Sequence, residues 1–221
     1  EMVNSTDVSP MHVEFLKEKE TQNSNLTDEI RLAKRFFKAQ KLYGAESYIG
    51  GFSGHVIDIL IIHYGSLDNL IAEAKSWEDR TIIDVNSFYE NKTDAIGSIE
   101  ADKLSNLIVV DPIVKERNAS RALSDDNYSR FLLIVNNIEK LNPNHFEIIK
   151  ENYKEKIIKH KDFIKKNNLE GVLYEIKFKI KNESKDICGS KLRKLHGKVL
   201  TYLKSYDFVL FQDEFFIDID R

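Results

Sequence analysis

Three short stretches hold residue types that could do chemistry. The first spans 29–41. Arg31, Lys34, Lys38 and Lys41 recur at three- to four-residue spacing, so a helix would carry them on one face, with Tyr43 just beyond. Such cations beside a phenol hydroxyl suit phosphate, as point charges plus a hydrogen-bond donor. The same pattern also describes the solvated face of an ordinary amphipathic helix. The second stretch is Gly50-Gly51-Phe52-Ser53-Gly54. Three glycines and a serine ahead of a helix could present backbone N–H groups to an anion, or could simply permit a tight turn. It matches neither the Walker A phosphate loop nor the dinucleotide fingerprint. The third is Asp111-Pro112-Ile113-Val114-Lys115-Glu116-Arg117-Asn118. A strand before it would deliver Asp, Arg and Asn to a loop at the strand's end, where sites gather, although surface turn chemistry would use the same residues.

Other chemistries find little support. His12, His55, His63, His145, His160 and His196 are scattered, and neither an HExxH motif nor a Cys/His cluster occurs, so no metal site is expected. The single cysteine, Cys188, excludes an internal disulfide and a cysteine-based zinc site. There is no serine nucleophile elbow. Asp218 and Asp220 read as charges that keep a terminal strand edge from pairing.

The elements that must position these residues can be sketched from periodicity. Residues 1–28 form a polar N-terminal arm with a flexible spot at Asn23-Ser24-Asn25. A helix over 29–41, capped by Thr27, buries Ile30, Ala33, Phe36 and Phe37. A second helix follows Gly54, apolar nearly all round, with Ile59, Leu60 and Ile62 expected to be inaccessible. Gly65 stops it, and Ser66 caps a third helix carrying Leu67, Leu70, Ile71 and Ala74. Short β-rich runs lie at 81–85 and 107–110. Ser124 starts a helix whose inner side runs through Phe131, Leu132, Ile134, Val135, Ile138 and Leu141, and Asn142-Pro143-Asn144 marks a boundary. Beyond it come a helix (about 154–167), a strand (171–180), a helix (189–205) and a strand (207–219). The expected class is α+β: a mostly helical central domain over 29–144, then a small α+β domain over 145–221.

Composition agrees with a folded chain. Hydrophobic residues make up 42% and aromatics 10% of the 221 residues, enough for a core and against global disorder. No apolar run approaches the roughly 18 residues of a membrane helix, and no signal peptide is apparent, so a cytoplasmic location is expected. The net charge of −3 hides a segregation. Residues 1–149 hold 16 basic and 24 acidic residues, 150–204 hold 16 and 7, and 205–221 hold 1 and 5. The Lys-rich segment, with Tyr153, Phe163, Tyr174, Phe178 and Tyr202, could follow a nucleic acid backbone, or be a solvated face.

The three stretches, in this order, resemble the archaeal-type (class I) CCA-adding enzymes, the tRNA nucleotidyltransferases that build the 3′-terminal CCA. The resemblance rests on Glu29-Ile30-Arg31-Leu32-Ala33-Lys34-Arg35-Phe36-Phe37-Lys38, Tyr43-Gly44-Ala45-Glu46, Gly51-Phe52-Ser53-Gly54, and Tyr64-Gly65-Ser66. Val110-Asp111-Pro112 with Arg117-Asn118, and Ser129-Arg130-Phe131, follow. Ser9-Pro10-Met11-His12 is similar to the end of the family's catalytic head, and 145–221 match more loosely. Gly50 stands where the pattern expects Arg, and His55 where it expects Tyr.

The resemblance implies a poly(A) polymerase-like substrate-binding domain followed by a ferredoxin- or RRM-like domain. It implies that His12, Lys34 and Tyr43 contact the triphosphate of an incoming CTP or ATP, and that Arg117 reaches the base. It places the tRNA acceptor stem along 150–204. Magnesium and the catalytic acidic residues are expected in a head preceding His12. The chain opens on Glu1, as a fragment or split subunit would, and by itself is expected to be inactive. That head and a second copy of the chain are the further expected partners. Two other readings remain: an RNA-binding or scaffold module without a nucleotide site, and part of another terminal nucleotidyltransferase. A nucleotide site would leave Lys34 without a carboxylate partner, with Tyr43 open and all four residues on one face. An ordinary surface would bury Tyr43 and tie Arg117 to Asp111 or Glu116.

Overall fold

The computed structural model describes residues 5–149, 153–168 and 184–206. The chain divides into two compact units, Glu1–Ile148 and Ile149–Arg221.

The first unit begins with helix α1, Ser5–Gln22, where a polar arm was expected. Its sequence has no clear apolar stripe and carries Pro10 inside. Its docking is tertiary: Leu16 packs against the core, and Glu20 accepts a hydrogen bond from Thr27 Oγ1 at 2.8 Å. Thr27 is therefore not the cap of α2 (Leu26–Ala39); Asn25 takes that position without a side-chain bond. Asp28 and Glu29 sit at the positive end of α2. Glu29 also accepts the Leu67 amide at 2.9 Å, tying α2 to a later helix start.

Helix α3, Gly54–Tyr64, is the centre of the unit. Ser53 caps it by accepting from the Val56 amide, and Gly65 ends it with φ 81°, in the left-handed region that glycine enters without strain. Val56, Ile57, Ile59, Leu60 and Ile61 are buried, while Ile62, expected inside, is half-buried. Helix α4, Leu67–Ala74, starts at the Ser66 cap and buries Leu67, Leu70, Ile71 and Ala74.

Strands β1 (Thr81–Ile83) and β2 (Leu107–Val109) pair in parallel, with Ile82 opposite Ile108. Helix α5 (Lys92–Ser98) and a 3-10 turn (Ala101–Lys103) lie in the connection between them. Every β2 residue is buried, so the strand is fixed in the core and holds the start of the 111–118 loop in place. Helix α6, Asp125–Asn136, is shorter than periodicity suggested: Asn137 caps it, and Ile138 is buried beyond its end. A 3-10 turn, Pro143–Phe146, then returns to α2, where Phe146 packs edge-on against Phe36 and Gln40 Nε2 donates to the His145 carbonyl at 2.9 Å.

Phe37, Phe52 and Phe131 form one aromatic knot, with centroids 4.7, 5.1 and 5.4 Å apart. Contacts of this kind add about 0.5–1.5 kcal/mol per pair to the burial itself. They clamp the glycine loop, through Phe52, between α2 and α6.

In the second unit the described residues form α7 (Tyr153–Lys166) and α8 (Lys185–Ser205). The expected strands at 171–180 and 207–219 lie outside the described residues. The described molecule is mostly helical with a two-stranded parallel sheet, an α+β body.

Candidate functional site

Lys34 and Tyr43 are separated by two and a half helical turns, so a straight helix would not align them. The chain reverses instead. Lys41 takes φ 56° after the end of α2, and the segment runs back beside the glycine loop. There Phe52 N–H donates to the Leu42 carbonyl at 2.7 Å and Gly44 N–H to the Phe52 carbonyl at 2.9 Å. A Cβ at Gly51 would overlap the Leu42 carbonyl, so only glycine permits this approach. As a result both side chains arrive at the first turn of α3. A Cβ placed on Gly54 would lie 3.0 Å from Tyr43 Oη and 3.8 Å from Lys34 Cε. Tyr43 is half-buried, and Lys38 Nζ sits 4.7 Å from its ring centre, a cation–π geometry.

The next turn of α3 supplies the partners. Lys34 Nζ lies 2.6 Å from Asp58 Oδ1, which corrects the expectation of a lysine free of carboxylate. Burial pushes the Asp58 carboxyl up from its ordinary value, and Lys34 offsets that only in part. Arg31 is likewise spent, on exposed Asp28. The four cations on the α2 side are thus not one equivalent face.

His12 and Arg117 arrive at a second carboxylate. Asp111 follows β2 and is fully buried. Its Oδ1 accepts the amides of Ile113 at 2.9 Å and Val114 at 3.2 Å, an Asx-type turn that starts the loop. His12 Nε2 lies 2.9 Å from Oδ1 and 3.1 Å from Oδ2. His55 Nε2 lies 3.7 Å from Oδ2, and Arg117 Nη1 3.5 Å from the same oxygen. Burial alone would raise the Asp111 pKa, but the two imidazoles and the Ile113 amide outweigh it and hold the carboxyl well below the usual carboxylate range. Asn118 holds the far end of the loop: its Oδ1 accepts from Val109 N–H and its Nδ2 donates to the Lys103 carbonyl.

The two carboxylate centres meet through His55, which follows Gly54 and packs against His12 with ring centres 4.0 Å apart and the rings tilted by 43°. Lys34, Tyr43, His12 and Arg117 therefore gather around the first two turns of α3, from α2, its following turn, α1 and the post-β2 loop. Arg117 is tied to Asp111, the arrangement expected of an ordinary surface, and Tyr43 is half-buried and packs against the edge of the core. Sequence reasoning missed Asp58. Its signal was available: it is the one charge within the apolar run 56–62, and a half-buried charge there needs a partner. The histidines are also less scattered than they read, since the rings of His12 and His55 are in contact.

Chemically, the site is a helix N-terminus flanked by a lysine, a tyrosine and an arginine, each cation balanced by a carboxylate. An incoming anion would compete with Asp58 for Lys34, whose side chain remains 30% exposed, and the Asp58 so released is a carboxyl that burial already inclines to hold a proton.

Residues 28–147 match the family described as tRNA nucleotidyltransferase, second domain, and the chain belongs to that family. Over nearly all of its length it is similar to archaeal proteins named CCA-adding enzyme. It is 33% identical over 217 residues to that of Nanoarchaeum equitans, covering 98% of this chain and 50% of the relative. To that of Methanocaldococcus jannaschii it is 31% identical over 225 residues, covering 98% and 46%. To that of Pyrobaculum islandicum it is 29% identical over 218 residues, covering 95% and 44%. The chain spans about half the length of these relatives.

Proposed function

We propose that this chain is the substrate-holding portion of a CCA-adding tRNA nucleotidyltransferase. It binds the incoming CTP or ATP at the start of α3 and lays its Lys-rich second unit along the tRNA acceptor stem. In this reading Lys34 and Tyr43 take the triphosphate, with His12 beside them, and Arg117 reaches the base. The carrying observation is the convergence of Lys34 and Tyr43 on Gly54, at the positive end of a buried helix. The acceptor-stem contact is supported by α8, where Lys194, Lys198 and Tyr202 are exposed on one helix face. The ferredoxin- or RRM-like reading of 145–221 belongs to the same proposal.

The magnesium expected of such an enzyme does not fit the described residues. Mg²⁺ prefers an all-oxygen shell, whereas the one close His/Asp group among the described residues is nitrogen-rich. Nucleotidyl transfer is therefore assigned to none of the described residues.

A titration of the isotope-labelled chain with CTP, ATP, GTP and UTP, followed by NMR, tests the reading. CTP and ATP are expected to shift the amides of Gly54, His55 and Arg117, and Lys34→Ala to weaken binding about tenfold, the loss of one charge-assisted contact of roughly 1.4 kcal/mol. No shift at millimolar nucleotide, or shifts unchanged in Lys34→Ala, overturns it. The alternative, an RNA-binding module without a nucleotide site, draws on the commitment of Lys34 to Asp58 and of Arg117 to Asp111. It predicts RNA binding with no nucleotide shifts.

A further inference from the structure

We propose that His12, His55 and Asp111 form a three-ligand site for a single divalent ion of the zinc class. This goes beyond the nucleotide reading and does not depend on it, although it takes up His12, which that reading sets beside the triphosphate, and the test is therefore run without nucleotide.

The three residues come from three elements: His12 from α1, His55 from the first turn of α3, and Asp111 from the end of β2. Each offers one ligand atom, and the three atoms lie within 4.8 Å of one another. A tetrahedral ion with ligands at about 2.0–2.2 Å needs them about 3.3–3.6 Å apart. The separations of 2.9 and 3.1 Å from His12 and 3.7 Å from His55 to the Asp111 oxygens straddle that figure. The third edge, between the two imidazole nitrogens, is bounded by the 4.8 Å spread of the group, so closing around an ion asks for side-chain shifts of up to about an ångström.

Three features favour a cation over a closed hydrogen-bond network. His55 Nε2 is buried and makes no hydrogen bond, although it lies 3.7 Å from Asp111 Oδ2. A buried polar atom left so is uncommon and costly, and an ion would satisfy it. Asp111 is already oriented from behind by two backbone amides, the outer-shell support that metal-binding carboxylates have. Two imidazoles and one carboxylate match the ligand preference of Zn²⁺, Co²⁺ or Ni²⁺, and three protein ligands leave a coordination position open for water or an anion.

The charges around the site are those of Arg117, and of Asp58 one turn along α3. Arg117 would have to leave Asp111 Oδ2. Its side chain is 46% exposed, so it can swing into water. The ion then replaces the guanidinium as the counter-charge of a buried carboxylate, and links α1 to a loop 99 residues away.

Cobalt(II) is the probe, added to the nucleotide-free chain and read by visible absorption. One equivalent is expected to give the intense spectrum of a four- or five-coordinate ion. His12→Gln and His55→Gln are each expected to lose it, with His63→Gln as a control that keeps it. Folding of each variant is checked by circular dichroism. In the unmodified chain, Zn²⁺ is expected to shift the ring resonances of two of the six histidines and to raise the melting temperature. A weak octahedral spectrum, an intense one that survives both substitutions, or zinc shifts at histidines other than His12 and His55 overturns the proposal. Because no nucleotide is present, these outcomes are independent of CTP and ATP binding.

Discussion

Lys34 and Asp58 are held 2.6 Å apart by two different helices, α2 and α3, at a position where both are more than half removed from water. The pair is lopsided. The Asp58 carboxyl remains above its ordinary value because burial costs it more than Lys34 returns. The lysine is therefore the partner that an outside anion can compete for.

Asp58→Asn tests this directly. In the native state Asp58 holds its proton more tightly than the unfolded chain does. The resulting stabilisation is complete below about pH 3.8 and is lost as pH rises through the higher native value. Asn imitates the protonated form at every pH. The melting temperature of the variant relative to the unmodified chain is thus expected to be more favourable near pH 7 than near pH 3. The same variant is expected to bind CTP more tightly, because Lys34 is released. Weaker CTP binding would mean that the lysine needs its carboxylate for placement.

Gly51→Ala is expected to be strongly destabilising, although it adds one methyl group. The new Cβ would overlap the Leu42 carbonyl, and backbone cannot step aside as a side-chain tip can. Overpacking of this kind costs about 1–3 kcal/mol or more, measurable by urea unfolding. Gly65→Ala meets no neighbour and is penalised only through its positive φ, so it serves as the comparison.

Leu60→Ala probes the centre of the first unit. Leu60 is fully buried in α3, and deletion of such a side chain costs on the order of 2–5 kcal/mol. A loss near zero in chemical denaturation would place α3 at the surface and remove the platform on which the site is built.

The second unit is expected to give weak, salt-sensitive binding to a tRNA acceptor minihelix. Lys194→Glu with Lys198→Glu is expected to weaken it and to reduce its salt dependence, since each phosphate contact contributes to the slope. Affinity that does not fall between low and moderate salt would remove the backbone-tracking role.

The 221-residue chain alone, given a tRNA lacking CCA with labelled CTP, ATP and Mg²⁺, is expected to incorporate no label above a protein-free control. Incorporation would show that this chain holds catalytic groups of its own.

The helices of the first unit were legible because their ends are written locally. Ser53, Ser66, Ser124 and Gly65 each perform their capping role within three or four residues. Helix α1 was not legible, because its residues lack a sustained apolar stripe and its order comes from docking. Lys34, Tyr43 and Arg117 could be singled out from residue type and spacing, and His12 only through the family resemblance. The acid of Arg117 could be narrowed to Asp111 or Glu116 in its own loop, but those of Lys34 and His12 could not be assigned. Which cation meets which acid depends on α2 crossing α3 and on β2 delivering Asp111, and neither is encoded in any short window.

The span of the His12–Asp111 contact, 99 residues, also sets when the site can exist. The helix caps close over three residues. Loop-closure entropy grows with separation, so contacts this far apart form only once the intervening chain is already compact. Docking of His12 on Asp111 is accordingly expected to follow closure of the helix caps during refolding. The ring resonances of His12, and of His55 in contact with it, would report that step separately from helix formation.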